Sequence, residues 1–333
     1  MPEKSRTIFP PHRAEIFPTA GNAILRRPFR PCTMQEMTTF SDIGDLPERA
    51  ANLFARLSDC DICPRICRVN RNAGERGVCD VGKNAAVASF GPHFGEEAPL
   101  VGSNGSGTVF FSGCNLRCVF CQNYEISHQV EGSEVSAERL AGIFLSIRSM
   151  GCHNLNLVTP THVTPQVLTA LSIAASRGLA IPVVYNCGGY ESVDTLRQLE
   201  GVIDIYMPDV KFLNAEAAAR YCDAPDYPEV VRAALAEMAR QVGPLSLDHH
   251  GIARRGLLVR HLVMPGETST TRQVIDFLAD GIGKDTYLNL MNQYRPCGQA
   301  LEFPEIGRRT SGSEWREARD YALEKGMVRL DAV

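Results

Sequence analysis

The chain has 333 residues, 44% hydrophobic and 22% charged, which is enough apolar material for one large domain or two small ones and excludes a disordered chain. A formal net charge of −4 offers no basic field to nucleic acid or to an anionic membrane. No apolar run nears the ~20 residues of a membrane span, and no signal-peptide core opens the chain. Of the twelve cysteines, Cys60, Cys63, Cys67, Cys79, Cys114, Cys118 and Cys121 bunch into two tight groups. Bunched thiols in a core-rich chain point to metal or cluster chemistry in a reducing compartment, with the cytoplasm as the natural address.

In chain order, residues 1–45 carry scattered prolines without hydrophobic periodicity and read as a disordered leader. Residues 46–100 read as a small cysteine-rich module, because Cys60-x2-Cys63-x3-Cys67-x11-Cys79 brings four thiols together with Pro64, Gly74 and Gly77 to permit tight turns. Either a Zn(Cys)4 site or an auxiliary [4Fe–4S] cluster suits that set; zinc there would be structural, and a cluster would relay electrons. From residue 101 to 310 short β-branched runs alternate with helical patterns. Strands are predicted at 108–111, 155–158, 182–185, 202–206, 256–263 and 287–291.

The helices between them carry recognisable ends. Ser136 caps a helix with Leu140, Ile143, Phe144 and Ile147 on one face. Thr164-Pro165 opens the next, which Gly178 closes, and Ser192 starts a third. Pro228 opens a fourth, and a fifth runs from Ser269 to Gly281. Ser311-Gly-Ser-Glu314 is a capping box that starts a closing C-terminal helix within 311–333. Strand–helix repetition predicts an α/β fold with parallel strands and right-handed crossovers. Six units are too few to close an eight-stranded barrel, so an open partial (β/α)6 barrel is expected, with functional residues at strand C-terminal ends.

The segment Gly113-Cys114-Asn-Leu-Arg-Cys118-Val-Phe-Cys121 follows the first predicted strand. Three thiolates at C-x3-C-x2-C can ligate three irons of a cubane, and a fourth iron left open can bind a chelating cofactor. Phe120, just before Cys121, would shield such a site from water. A zinc knuckle would want a fourth ligand nearby, and only an awkwardly placed His128 is available.

This pattern, with an aromatic before the third cysteine, resembles the radical S-adenosylmethionine superfamily. The segments GCNLRCVFCQN, NLVTPTH, VVYNCGGYE, DIYMPDVKF, RHLVMPG and LMNQYRP are similar to the branch related to pyruvate formate-lyase activating enzyme. The resemblance implies that Cys114, Cys118 and Cys121 hold a [4Fe–4S] cluster whose open iron binds the amino and carboxylate groups of S-adenosylmethionine. It implies reductive cleavage of that cofactor to a 5′-deoxyadenosyl radical, with the electron coming from flavodoxin or ferredoxin. Asn186 and Met207 match positions near the cofactor carboxylate, and Asp209 and Lys211 match an Asp-x-Lys element of the catalytic site. Thr159-Pro160-Thr161-His162 stands where the family has a Gly-Gly-Glu-like turn.

Arg260 sits mid-strand in an apolar run, where a charge must find a partner, so it is expected to point toward the cofactor carboxylate. His162 is expected at the same face as a polar loop residue, and His261 on the opposite side of its strand. Hydrogen abstraction from a protein substrate is the leading functional expectation. An enzyme acting on a small molecule and a non-enzymatic iron–sulfur or zinc sensor are the alternatives.

Overall fold

The computed structural model describes residues 44–331, so the leader expected over 1–45 falls outside the described residues apart from its last two. The described chain lies within one compact unit, Thr38–Val333. Helix α1 (Leu46–Ala55) precedes the cysteine-rich turns, and β1 (Ala85–His93) follows them. A short α2 (Ala98–Val101) leads into β2 (Ser106–Phe111), and α3 (Tyr124–His128) and β3 (Ser133–Val135) follow the second cysteine group. Helix α4 (Ala137–Ser149) then leads to β4 (Leu155–Val158), α5 (Thr164–Ser176) to β5 (Val183–Cys187), and α6 (Val193–Gln198) to β6 (Ile205–Pro208). Two helices, α7 (Ala215–Cys222) and α8 (Tyr227–Val242), separate β6 from β7 (Ser246–Leu247) and β8 (Ala253–Leu262). The chain ends with α9 (Thr271–Phe277), β9 (Tyr287–Met291) and α10 (Gly312–Glu324).

The sheet is mixed. Strands β2, β4, β5, β6, β8 and β9 pair in parallel in that order. Antiparallel β1 lies outside β2, β3 outside β1, and the two-residue β7 pairs with β8. No pairing among the described residues joins β9 to the far side, so this is an open, TIM-like partial barrel. Strands β5 and β6 are buried along their whole length, as parallel strands covered on both faces must be. The stripe Leu140, Ile143, Phe144 and Ile147 of α4 is buried in the main core, and Ser136 caps that helix through Arg139 N–H. Ser192 and Asn214 cap α6 and α7 in the same way, and Ser311 with Glu314 forms a complete capping box on α10.

Differences from the sequence expectation have local causes. The fourth parallel strand begins at Ile205 rather than Val202, because Val202 and Ile203 are buried in the turn after α6, where both amides donate to Leu199 O. Gly91 and Pro92 interrupt the pattern of β1, yet Pro92 needs no outer partner, since β3 covers only residues 85–87 of that strand. The eight-residue α7, capped by Asn214, was not anticipated, because Ala215–Cys222 is short and offers only Ala218, Tyr221 and Cys222 as buried positions. Beyond β9, Leu330 bridges to Leu288, with Leu288 N–H donating to Arg329 O and Asp331 N–H to Leu288 O. No helix among the described residues is long and apolar enough to cross a membrane.

Beneath β5 a buried polar knot holds Glu191. Thr161 Oγ1 donates to it at 2.5 Å and Tyr185 Oη at 3.1 Å. Burial nevertheless pushes its carboxyl up to about 7. The folded form therefore keeps a proton that the unfolded chain loses near 4.5, so stability is full below that pH and declines as pH rises toward 7, then levels off. The loss amounts to about 3 kcal/mol. Glu191→Gln should flatten this decline, read as urea-unfolding free energies of both proteins between pH 5 and 8.

Candidate cofactor site

The site is built on the loop that leaves β2. Gly113 has φ +81°, and a Cβ there would stand 2.4 Å from Cys79 O, so only glycine lets the loop pass the cysteine-rich turns. Within the loop, Leu116 N–H points at Cys114 Sγ from 3.4 Å and Ser127 Oγ donates to Cys121 Sγ at 3.2 Å. Cys118 Sγ lies 3.2 Å from Cys222 Sγ at the end of α7. Arg65 clamps these parts together. Its Nε donates to Asn115 O at 2.7 Å, its Nη2 to Cys222 O at 2.8 Å, and its Nη1 to Asp223 O.

Cys114, Cys118 and Cys121 line a cavity of about 390 Å³ together with Phe120, Asn186, Asp209, Lys211 and Arg260. Phe120 meets Phe212, Tyr221 and Tyr294 edge to face, which fixes its ring in the wall. Asp209 is the hub of the polar side. Arg260 Nε donates to its Oδ1 at 2.7 Å and Lys211 Nζ to its Oδ2 at 2.8 Å. Arg260 Nη2 reaches Asn186 Oδ1 at 2.7 Å, and its Nη1 stands 3.7 Å from Glu96 Oε2. Burial acts to raise the Asp209 carboxyl, but Arg260 and Lys211 outweigh it and hold it at about 2. Burial pushes the Cys114 thiol up to about 12, with Cys118 adding to the rise. These thiols ionise only where a cation or metal compensates the charge.

Two residues sit elsewhere than the sequence reading placed them. Met207, expected at the cofactor, shares a sheet face with its register partner Asn186 but packs into an apolar layer with Val184, Ile205 and Leu258. It does not line the cavity. His162, expected on the open face, is buried against the cysteine-rich turns with Nε2 2.8 Å from Ser112 O. His261 is buried between Val210 O and Thr271 Oγ1. Thr159 does line the cavity, in a left-handed backbone conformation with φ +60°. Sequence reasoning missed His93 and Glu96, which reach the cavity from the end of β1 and the turn after it; Cys187, at the end of β5, also lines it.

Cys60, Cys63, Cys67 and Cys79 border a second, smaller cavity, which His162 and Arg71 also line. Every cysteine among the described residues is a free thiol. Among those residues no three His, Cys, Asp or Glu side chains are arranged to hold a single metal ion.

Residues 108–278 match the family model of the Radical SAM superfamily. The chain is also 32% identical over 283 residues to the uncharacterized protein MJ0674 of Methanocaldococcus jannaschii, covering 83% of this chain and 76% of the relative. A second uncharacterized protein of that organism, MJ0808, is 24% identical over 303 residues, covering 84% and 83%. Among solved structures, a radical SAM methyltransferase from Sphaerobacter thermophilus aligns with a TM-score of 0.46 at 14% identity, covering 66% of this chain and 64% of that one. Methylornithine synthase aligns with a TM-score of 0.43 at 13% identity, covering 65% and 60%. The chain thus spans less than two thirds of either structure.

The chain belongs to the radical SAM superfamily. Its family cofactors are a [4Fe–4S] cluster and S-adenosylmethionine, and the residues present suit them. Three thiols share one cavity with two half-buried cations, and its volume of about 390 Å³ lies in the range of cofactor pockets, ~300–1,000 Å³.

Replacing Arg260 by Leu removes both bonds that its guanidinium makes to Asp209 and Asn186. The remaining buried carboxylate keeps only Lys211, so stability should fall by about 3 kcal/mol in chemical denaturation. Arg260→Lys should recover less than half of that loss, because an ammonium cannot span two acceptors as the fork does.

Proposed function

We propose that the protein binds a [4Fe–4S] cluster through Cys114, Cys118 and Cys121, cleaves S-adenosylmethionine reductively, and takes a hydrogen atom from a polypeptide, as activating enzymes do. The observation that carries this reading is that the three thiols and the Asp209–Lys211–Arg260 network face one cavity from different strand ends. The cluster, when bound, supplies the electron for cleavage and one open iron for the cofactor's methionine end.

The chain's own residues position and insulate. Leu116 N–H and Ser127 Oγ–H point at two of the sulfurs and favour their thiolate form. Arg260 and Lys211 present positive charge toward the cofactor carboxylate, while Asp209 holds both in place. Phe120 and its aromatic neighbours keep water from the thiols. The cavity of about 390 Å³ must hold the cluster and the cofactor before any substrate. The substrate hydrogen must then be presented at the mouth, which supports a polypeptide loop over an engulfed small molecule. Flavodoxin or ferredoxin would supply the electron, in the cytoplasm where thiols stay reduced.

The test is anaerobic. Protein reconstituted with iron and sulfide should yield 5′-deoxyadenosine from S-adenosylmethionine and dithionite, and Cys118→Ala should yield none. An intact cluster whose paramagnetic resonance signal ignores S-adenosylmethionine would refute the reading. Asp209→Asn should keep the iron but bind S-adenosylmethionine at least tenfold more weakly, measured by titrating that signal.

A further inference from the structure

We infer that Cys60, Cys63, Cys67 and Cys79 hold a second iron–sulfur cubane, seated against the back of the Cys114 loop and counterbalanced by the buried guanidinium of Arg71. The four cysteines come from two tight turns. Cys60 N–H donates to Val69 O at 3.0 Å and Arg68 N–H returns to Cys60 O at 2.9 Å, so the segment folds back on itself. Gly77 is required beside Cys67, since a Cβ there would meet its Sγ at 2.7 Å. All four residues border the same small cavity.

Two buried side chains that line this cavity carry unpartnered polar atoms. Arg71 is 1% exposed. Its Nε donates to Gly82 O at 3.0 Å and its Nη1 to His162 O at 2.7 Å, with Cys60 Sγ 3.9 Å from Nη1. Its Nη2 has no partner. His162 is also 1% exposed, and its Nδ1 has none. No carboxylate among the described residues pairs with Arg71. A buried, unpaired guanidinium costs several kcal/mol, so its counter-charge has to come from what the cysteines bind. Four thiolates around an oxidised cubane or around Zn²⁺ each leave about two net negative charges, which meets that need.

Size separates the two. Zinc draws its sulfurs to about 2.3 Å, and no water-sized sphere enters such a shell. Here about 10 Å³ remains open to the centre of a water molecule, between the four cysteines. The centre is also close to the first. Cys79 O abuts Gly113, the neighbour of Cys114, and His162 Nε2 lies 2.8 Å from Ser112 O. One layer of backbone divides the two cysteine groups.

The test removes the first site and counts metal at the second. Full-length protein carrying Cys114→Ala, Cys118→Ala and Cys121→Ala is reconstituted anaerobically, and iron, sulfide and zinc are measured beside the wild type. About four irons per chain should remain, against about eight in the wild type. The reduced variant should show a cubane resonance signal that S-adenosylmethionine does not alter. In the reduced wild type, two centres this close should broaden each other's signals. Adding Cys63→Ala to the triple variant should abolish its iron. One zinc per chain and no iron, or about four irons in the wild type, would overturn the inference. Should the triple variant fail to fold, the wild-type count and the broadening decide alone. A lack of deoxyadenosine formation would leave this count untouched, so the two readings fail separately.

Discussion

A half-buried carboxylate at the end of a strand sets the terms for this architecture. Asp209 leaves β6 just where that strand stops pairing regularly with β8, and it is stable there only because Arg260 and Lys211 come to it. The bridge between Asp209 and Arg260 continues the β6–β8 seam, and Val210 N–H donates to Arg260 O. Meeting the need of one anion therefore does three things. It extends the pairing of two strands, draws Asn186 of β5 into the same network, and leaves cationic nitrogens facing the cavity. Electrostatic necessity and site geometry are the same fact here.

The second joint is at the loop after β2. Arg65, from the cysteine-rich turns, ties backbone carbonyls of the Cys114 loop to the end of α7, and its guanidinium lies 5.3 Å from the Tyr190 ring centre. The cysteine-rich segment thus forms part of the wall that holds the first loop in place. Loops that carry function need such scaffolding, since a glycine-led turn has little conformational preference of its own.

The parallel strands were legible as short apolar runs between helical patterns: 155–158 and 287–291 coincide with β4, which is buried along most of its length, and β9, which alternates buried and half-buried residues. Helix ends were legible where a side chain caps them, as at Ser136, Ser192 and Ser311. Long-range relations left no local trace. Antiparallel β1 hid behind Gly91 and Pro92, so His93 and Glu96 were missed at the cavity. Met207 looked like a site residue from its place beside Asp209, but side-chain depth along a strand is set by the packing of neighbours that no local pattern encodes. His162 was misplaced for a similar reason, because the partner that buries it comes from residues far earlier in the chain.

An open barrel has a hazard that a closed one lacks, because its terminal strands offer free backbone to any other chain. This fold blunts its ends with its own residues. One flank finishes in the three-residue β3, the two-residue β7 lies beside β8, and Leu330 occupies β9. Residues 329–331 act as a selvedge. Truncating them would leave the candidate cofactor cavity intact yet expose β9 as a template for strand addition, so the cost would fall on solubility first.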